Sequence, residues 1–128
     1  MNHTRGYLQL VASARKRVSE ITAPRVKSRM RRGDKFTVID VREDHEWNDS
    51  HVAGAIHIGR GILERDIEGW IPDKKSEVVL YCGGGYRSVL AAESLQKMGY
   101  QSVLSMRGGW KAWRRIRGPV EQGNEQKR

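Results

Sequence analysis

A chain of 128 residues, 38% apolar and 30% charged, has the size of one domain and can bury a single core. No apolar stretch approaches the roughly 18 residues of a membrane span, and no secretory leader is visible at the N-terminus, so the expected location is the cytoplasm. The formal net charge of +9 attracts anions such as nucleic acid, acidic protein faces or small oxyanions, and the lone cysteine, Cys82, leaves neither an internal disulfide nor a cysteine-based metal cluster to build.

Tyr7, Leu10, Val11, Ala14, Val18 and Ile21 recur at helical spacing, which predicts an amphipathic helix over 6–19 with its basic residues outward. Residues 20–22 read as extended. Thr22 then caps a second helix over 23–32, with Pro24 in its first turn and Gly33-Asp34 at its end. The β-branched run 36–41 reads as a buried parallel strand. Residues 42–50 are polar and form a short helix or turn, and 55–58 a second short strand. A helix over 60–71 is stopped by Pro72. Residues 77–81 form a third core strand, 82–87 a loop, and 88–98 a helix that ends at Gly99. A fourth strand covers 102–104. Gly108-Gly109 then turns the chain into a helix bearing Trp110 and Trp113, and a polar tail follows Gly118-Pro119.

Strands alternate with helices, so the fold class is α/β: a mainly parallel sheet with helices on both faces, in three layers. The predicted organisation is a helical extension over 1–19, the domain proper over 20–117 and a disordered tail over 118–128. Ligands of open α/β sheets bind at the carboxyl ends of the strands, and Cys82 lies directly after the strand 77–81.

The order there is strand, cysteine, glycine-rich loop, helix N-terminus. Gly83, Gly84 and Gly85 let backbone N–H groups converge without obstruction, which makes an anion nest. The helix adds the positive end of its dipole and Arg87 a full charge. Together these favour the thiolate of Cys82, and the same cradle would hold an anionic substrate. Ser88 can equally cap the helix, and Tyr86 is either a pocket wall or an exposed rim residue. Asp40 and Arg42, at the end of the strand 36–41, read as supports behind the site, either a buried ion pair or backbone hydrogen bonds that pin the loop. His51 and His57 read as structural histidines, and Trp47, Trp110 and Trp113 as packing.

The run Cys82 to Ser88 resembles the active-site loop of rhodanese-like domains. Ile39-Asp40-Val41-Arg42, Glu46-Trp47 and His51 to Ile58 are similar to that family's first motif, and Met106 to Trp110 with Trp113 to its closing motif. Ser50 stands where the family commonly has glycine. The resemblance implies a sulfurtransferase in which Cys82 is the nucleophile and carries a persulfide, and Gly83, Gly84, Gly85, Tyr86, Arg87 and Ser88 bind substrate. It implies a small anionic sulfur donor such as thiosulfate, and cyanide or a thiol as acceptor. It implies no metal and no organic cofactor.

Two rival readings are a non-catalytic module that reuses the fold and a cysteine phosphatase. Phosphatase loops run Cys-x5-Arg, whereas four residues separate Cys82 from Arg87 here. The basic clusters at 15–17, 25–32 and 107–117 read as solvated helix faces or as a dock for an acidic sulfur-carrier protein. Nucleic acid is the weaker partner, because the clusters lack interleaved aromatic residues apart from Trp110 and Trp113.

Overall fold

The computed structural model describes residues 2–123. Helix α1 (Arg5–Arg15) leads into strand β1 (Ser19–Thr22) and helix α2 (Ala23–Arg32). The Thr22 hydroxyl accepts from the Arg25 amide at 3.4 Å, and Gly33 ends α2 with a left-handed φ of 78°, as capping chemistry requires. Strand β2 (Thr37–Asp40) is followed by helix α3 (Asp44–Asp49) and the short strands β3 (His51–Val52) and β4 (Ile56–His57). A 3-10 turn (Arg60–Ile62) opens into helix α4 (Leu63–Trp70). Strand β5 (Glu77–Tyr81), helix α5 (Arg87–Lys97), strand β6 (Ser102–Arg107), helix α6 (Gly109–Arg115) and strand β7 (Val120–Glu121) complete the chain.

Five strands form an all-parallel sheet in the order β1-β6-β5-β2-β4. Parallel strands need both faces covered, and alternate residues divide between two cores. Ile39, Val41, Val78, Leu80 and Val103 pack against α1, α4 and α5. Val38, Val79, Tyr81 and Met106 pack against α2, α3 and α6. Each fully buried aliphatic side chain in these layers contributes about 1.5–3 kcal/mol. The architecture is therefore the expected three-layer α/β fold.

Three features differ from the sequence expectation. Helix α1 ends at Arg15, four residues early, and its Val11 and Ala14 lie in the same core as α5. Strand β3 lies between the helix predicted within 42–50 and the strand predicted at 55–58, where the sequence predicts no element. The third difference concerns the tail expected to be disordered over 118–128. Val120–Glu121 pair antiparallel with His51–Val52. The Pro119 carbonyl accepts from the Ala53 amide at 3.0 Å and from the Trp113 indole at 2.9 Å. Backbone hydrogen bonds to β3 hold this strand, and neither of its residues is buried, so no hydrophobic periodicity announces it. The rest of the tail, 124–128, lies outside the described residues.

Candidate active site

Strand β5 lies in the interior of the sheet and delivers Cys82 to its carboxyl edge, where the thiol is buried. The chain then turns back into α5. Gly85 makes that turn with φ of 93°, and a Cβ there would stand 2.9 Å from the Gly108 nitrogen, so the position requires glycine. The loop is also held from outside. The amides of Trp110 and Lys111, in the first turn of α6, donate to the carbonyls of Cys82 and Gly83 at 2.7 and 3.1 Å. With those carbonyls turned away, the amides of Gly85 and Ser88 point at Sγ of Cys82, at 3.2 and 3.4 Å.

Ser88 does not cap α5, whose N-cap is Tyr86. Its buried hydroxyl lies 3.5 Å from Sγ and 2.8 Å from the Ser105 hydroxyl. With a thiol, Cys82 donates to Ser88. With a thiolate, the Ser105–Ser88 pair can turn round so that Ser88 donates to sulfur. The sulfur thus has three donors available in its charged form, and a hydrogen bond to a charged group is worth about twice one between neutral groups.

A pocket of about 260 Å³ opens over this sulfur. Cys82, Gly83 and Gly84 line it, and Arg87 and Glu46 stand together in it. Arg87, the first residue of α5, forms a two-pronged pair with Glu46 at 3.1 and 3.4 Å. Burial lowers the affinity of Arg87 for its proton, but the hydrogen bond and charge of Glu46 outweigh it and leave the guanidinium above its ordinary pKa. Burial likewise opposes ionisation of Glu46, and its bonds from Arg87 and the Glu43 amide overcome that and hold it below the usual carboxylate value. Glu46 is also the third residue of α3 and completes its capping box with Glu43. Tyr86 proves to be a wall of the pocket, tilted against His3 at 4.5 Å between ring centroids.

Asp40 and Arg42 do not line this pocket. Both are buried, and three bonds of 2.8–3.1 Å join the Arg42 guanidinium to the carboxylate. Further bonds hold the pair in place. The Tyr81 hydroxyl donates to Asp40 at 2.6 Å and accepts from the Val52 amide at 3.0 Å, and Arg42 donates to the Ser50 carbonyl at 2.7 Å. Arg42 also lies over the Trp110 ring, 4.7 Å from its centroid. The pair ties the residue before Cys82 to α6 and to the turn before β3. Ser50 takes part through its carbonyl, which any residue could supply. His51 bonds the Trp47 carbonyl through Nδ1 at 2.9 Å, and His57 bonds the Arg42 carbonyl through Nε2 at 2.8 Å.

The family model described as Rhodanese-like domain matches residues 22–116. The chain belongs to the rhodanese-like family. Among named relatives, the Bacillus subtilis protein "Putative sulfurtransferase YtwF" is 31% identical over 75% of this chain and 90% of its own length. Thiosulfate sulfurtransferase GlpE of Coxiella burnetii is 31% identical over 62% and 72%. The Bacillus subtilis protein "Putative sulfur carrier protein YrkF" is 27% identical over 75% of this chain, which spans only 51% of that relative. A solved structure from Rhodopseudomonas palustris, described as a protein of unknown function and possible tyrosine phosphatase, superposes with a TM-score of 0.84 at 29% identity and covers 94% of this chain and 98% of its own. The rhodanese-like match begins at residue 22, after α1.

Sequence reasoning missed four pocket residues. Glu46 was visible only as part of a motif. Lys111 had no signal beyond its place in a basic helix. His3 and Tyr7 come from α1 or just before it, and helical spacing assigned Tyr7 to the core face.

Proposed function

We propose that this protein is a sulfurtransferase that moves sulfane sulfur through a persulfide on Cys82. In the first half-reaction the Cys82 thiolate attacks the outer sulfur of thiosulfate. A bond forms between the two sulfurs, the bond to the sulfonate sulfur breaks, and sulfite leaves with its electron pair. The enzyme keeps one negative charge, now on the terminal persulfide sulfur. In the second, cyanide or a thiolate attacks that sulfur and departs with it, and the Cys82 thiolate is restored. No proton needs a general base in either step, and covalent catalysis of this kind gives ping-pong kinetics.

The observation that carries this reading is the pair of amides, from Gly85 and Ser88, aimed at Sγ beneath an open pocket. Gly83, Gly84, Tyr86 and Arg87 would hold the donor above it. A phosphate dianion is a poorer fit. With one residue fewer between Cys82 and Arg87 the cradle is smaller than a phosphatase loop, and Glu46 already occupies the arginine.

Mass spectrometry after thiosulfate treatment tests the first step. One sulfur atom on Cys82, thiocyanate formation when cyanide follows, and loss of both in Cys82→Ser are expected. Hydrolysis of para-nitrophenyl phosphate without sulfur loading would instead support the phosphatase reading. Inactivity in both assays would support the binding-module reading.

A further inference from the structure

Helix α1 lies outside the part of the chain that the rhodanese-like family shares, yet it reaches the sulfur site. The ring of Tyr7 is 5.2 Å from His3 and 6.2 Å from Tyr86, centroid to centroid. Arg15, in the last turn of α1, lies over the other ring of this group, 5.4 Å from the Tyr86 centroid, and donates to the Gly85 carbonyl at 3.4 Å. The three rings make one side of the Cys82 pocket. Burial first, and the nearby Cys82 next, raise the pKa of Tyr7 against the pull of Arg87.

The same pocket carries charge as well. Lys111 lines the pocket with no carboxylate partner among the described residues, and Arg87 lines it paired with Glu46. An inorganic anion of a few atoms would use the amides and the cations and leave the aromatic side wet. A ligand that satisfies both sides has a flat or apolar body and one anionic group. The volume of about 260 Å³ lies just below the range of about 300–1,000 Å³ typical of small-organic-molecule sites.

We propose that α1 is a specificity element, and that Tyr7 and His3 with Tyr86 select an organic thiol bearing an anionic group as the sulfur acceptor. This rests on the sulfurtransferase reading above. The acceptor thiolate attacks the terminal sulfur of the Cys82 persulfide. A bond forms between that sulfur and the thiolate sulfur, the bond to Sγ breaks with its electrons returning to Cys82, and an organic persulfide anion leaves.

The full chain, loaded with thiosulfate, is discharged with para-mercaptobenzoate or with cyanide, and kcat/KM is compared for each acceptor. Tyr7→Ala should lower the ratio of aromatic thiol to cyanide about tenfold, equivalent to about 1.4 kcal/mol. Tyr7→Phe should keep the ratio, since the ring makes the wall. His3→Ala should shift it in the same direction by less. A second measurement needs no sulfur transfer: calorimetric titration with para-(methylthio)benzoate, which should bind the wild type about tenfold more tightly than Tyr7→Ala. Equal losses with both acceptors, or an unchanged ratio in Tyr7→Ala, would overturn the assignment. If Cys82 never loads with sulfur, the functional reading fails, while the titration still decides whether α1 forms an organic-anion site.

Discussion

Arg87 is the residue at which local chemistry and ligand chemistry compete. A cation in the first turn of a helix opposes the dipole by about 0.3–1 kcal/mol, and here Glu46 neutralises it. An anionic donor that uses Arg87 must therefore compete with a carboxylate already in place. Arg87→Ala should raise the KM for thiosulfate about tenfold, the lower end of the cost of a lost charged hydrogen bond. Glu46→Gln should lower it several-fold, because the guanidinium is released. Glutamine keeps the α3 capping box, which accepts either residue, so the second variant separates electrostatics from fold. Steady-state kinetics with thermal midpoints on both proteins are the measurement, and opposite shifts in KM are the expected result. The pairing partner was not legible in the sequence: 41 positions separate Glu46 from Arg87, and nothing local links them. The proposed nucleophile was legible as a candidate, because its strand end, three glycines and helix start stand together in the sequence.

Among the elements, α2 shows how a helix is fastened to the sheet. Arg29 bonds Glu77, the first residue of β5, at 2.9 Å, and also Asp34 at 3.2 Å. The hydrogen bond from Arg29 is the largest influence on Glu77 and holds it below its ordinary pKa. The sign follows from that direction. A carboxylate depressed in the folded state adds stability that is complete above its unfolded value of about 4.3 and is lost as pH falls through the lower folded value. The melting temperature should therefore drop as pH is taken below about 4, and Glu77→Gln should flatten that drop. Circular dichroism melts of both proteins between neutral and acid pH provide the check. Elements built from apolar periodicity or from caps were legible in the sequence, as Thr22 and Gly33 illustrate for α2. Strands β3 and β7 were not. Two-residue strands that hold each other by backbone bonds have no side-chain pattern to read.

Taken as a whole, the molecule carries far more positive charge than its ion pairs consume. Lys111, Arg114 and Arg115 of α6 make no salt bridge among the described residues, and α6 begins at the loop that holds Cys82. Of the three only Lys111 lines the Cys82 pocket, and together they attract anions toward this end of the molecule through a field that salt screens over about 10 Å at 0.1 M. Raising ionic strength from about 0.01 to 0.3 M should lower kcat/KM for thiosulfate several-fold and leave kcat nearly unchanged. A Lys111→Gln, Arg114→Gln, Arg115→Gln triple variant should lose most of that salt dependence. Equal salt slopes for the two proteins would place the steering elsewhere. The chain's basicity was plain in the sequence. The placement of Lys111 in the pocket was not, because that depends on α6 folding back onto the Cys82 loop.

The grip of α6 on that loop also has a consequence for how the molecule comes into being. The carbonyls of Cys82 and Gly83 are turned outward by amides of residues 110 and 111, which leave the ribosome roughly thirty residues after the thiol itself. While the chain is being made, the cysteine has its strand and its glycines but nothing to fix the carbonyls, and its amide donors are free to point to water. On the sulfurtransferase reading proposed above, the amide cradle at Cys82 is therefore completed late, when α6 docks. A half-made chain lacks the loop geometry that aims the Gly85 and Ser88 amides at Sγ, and the proposed sulfur site assembles only once the layers on either side can shelter it.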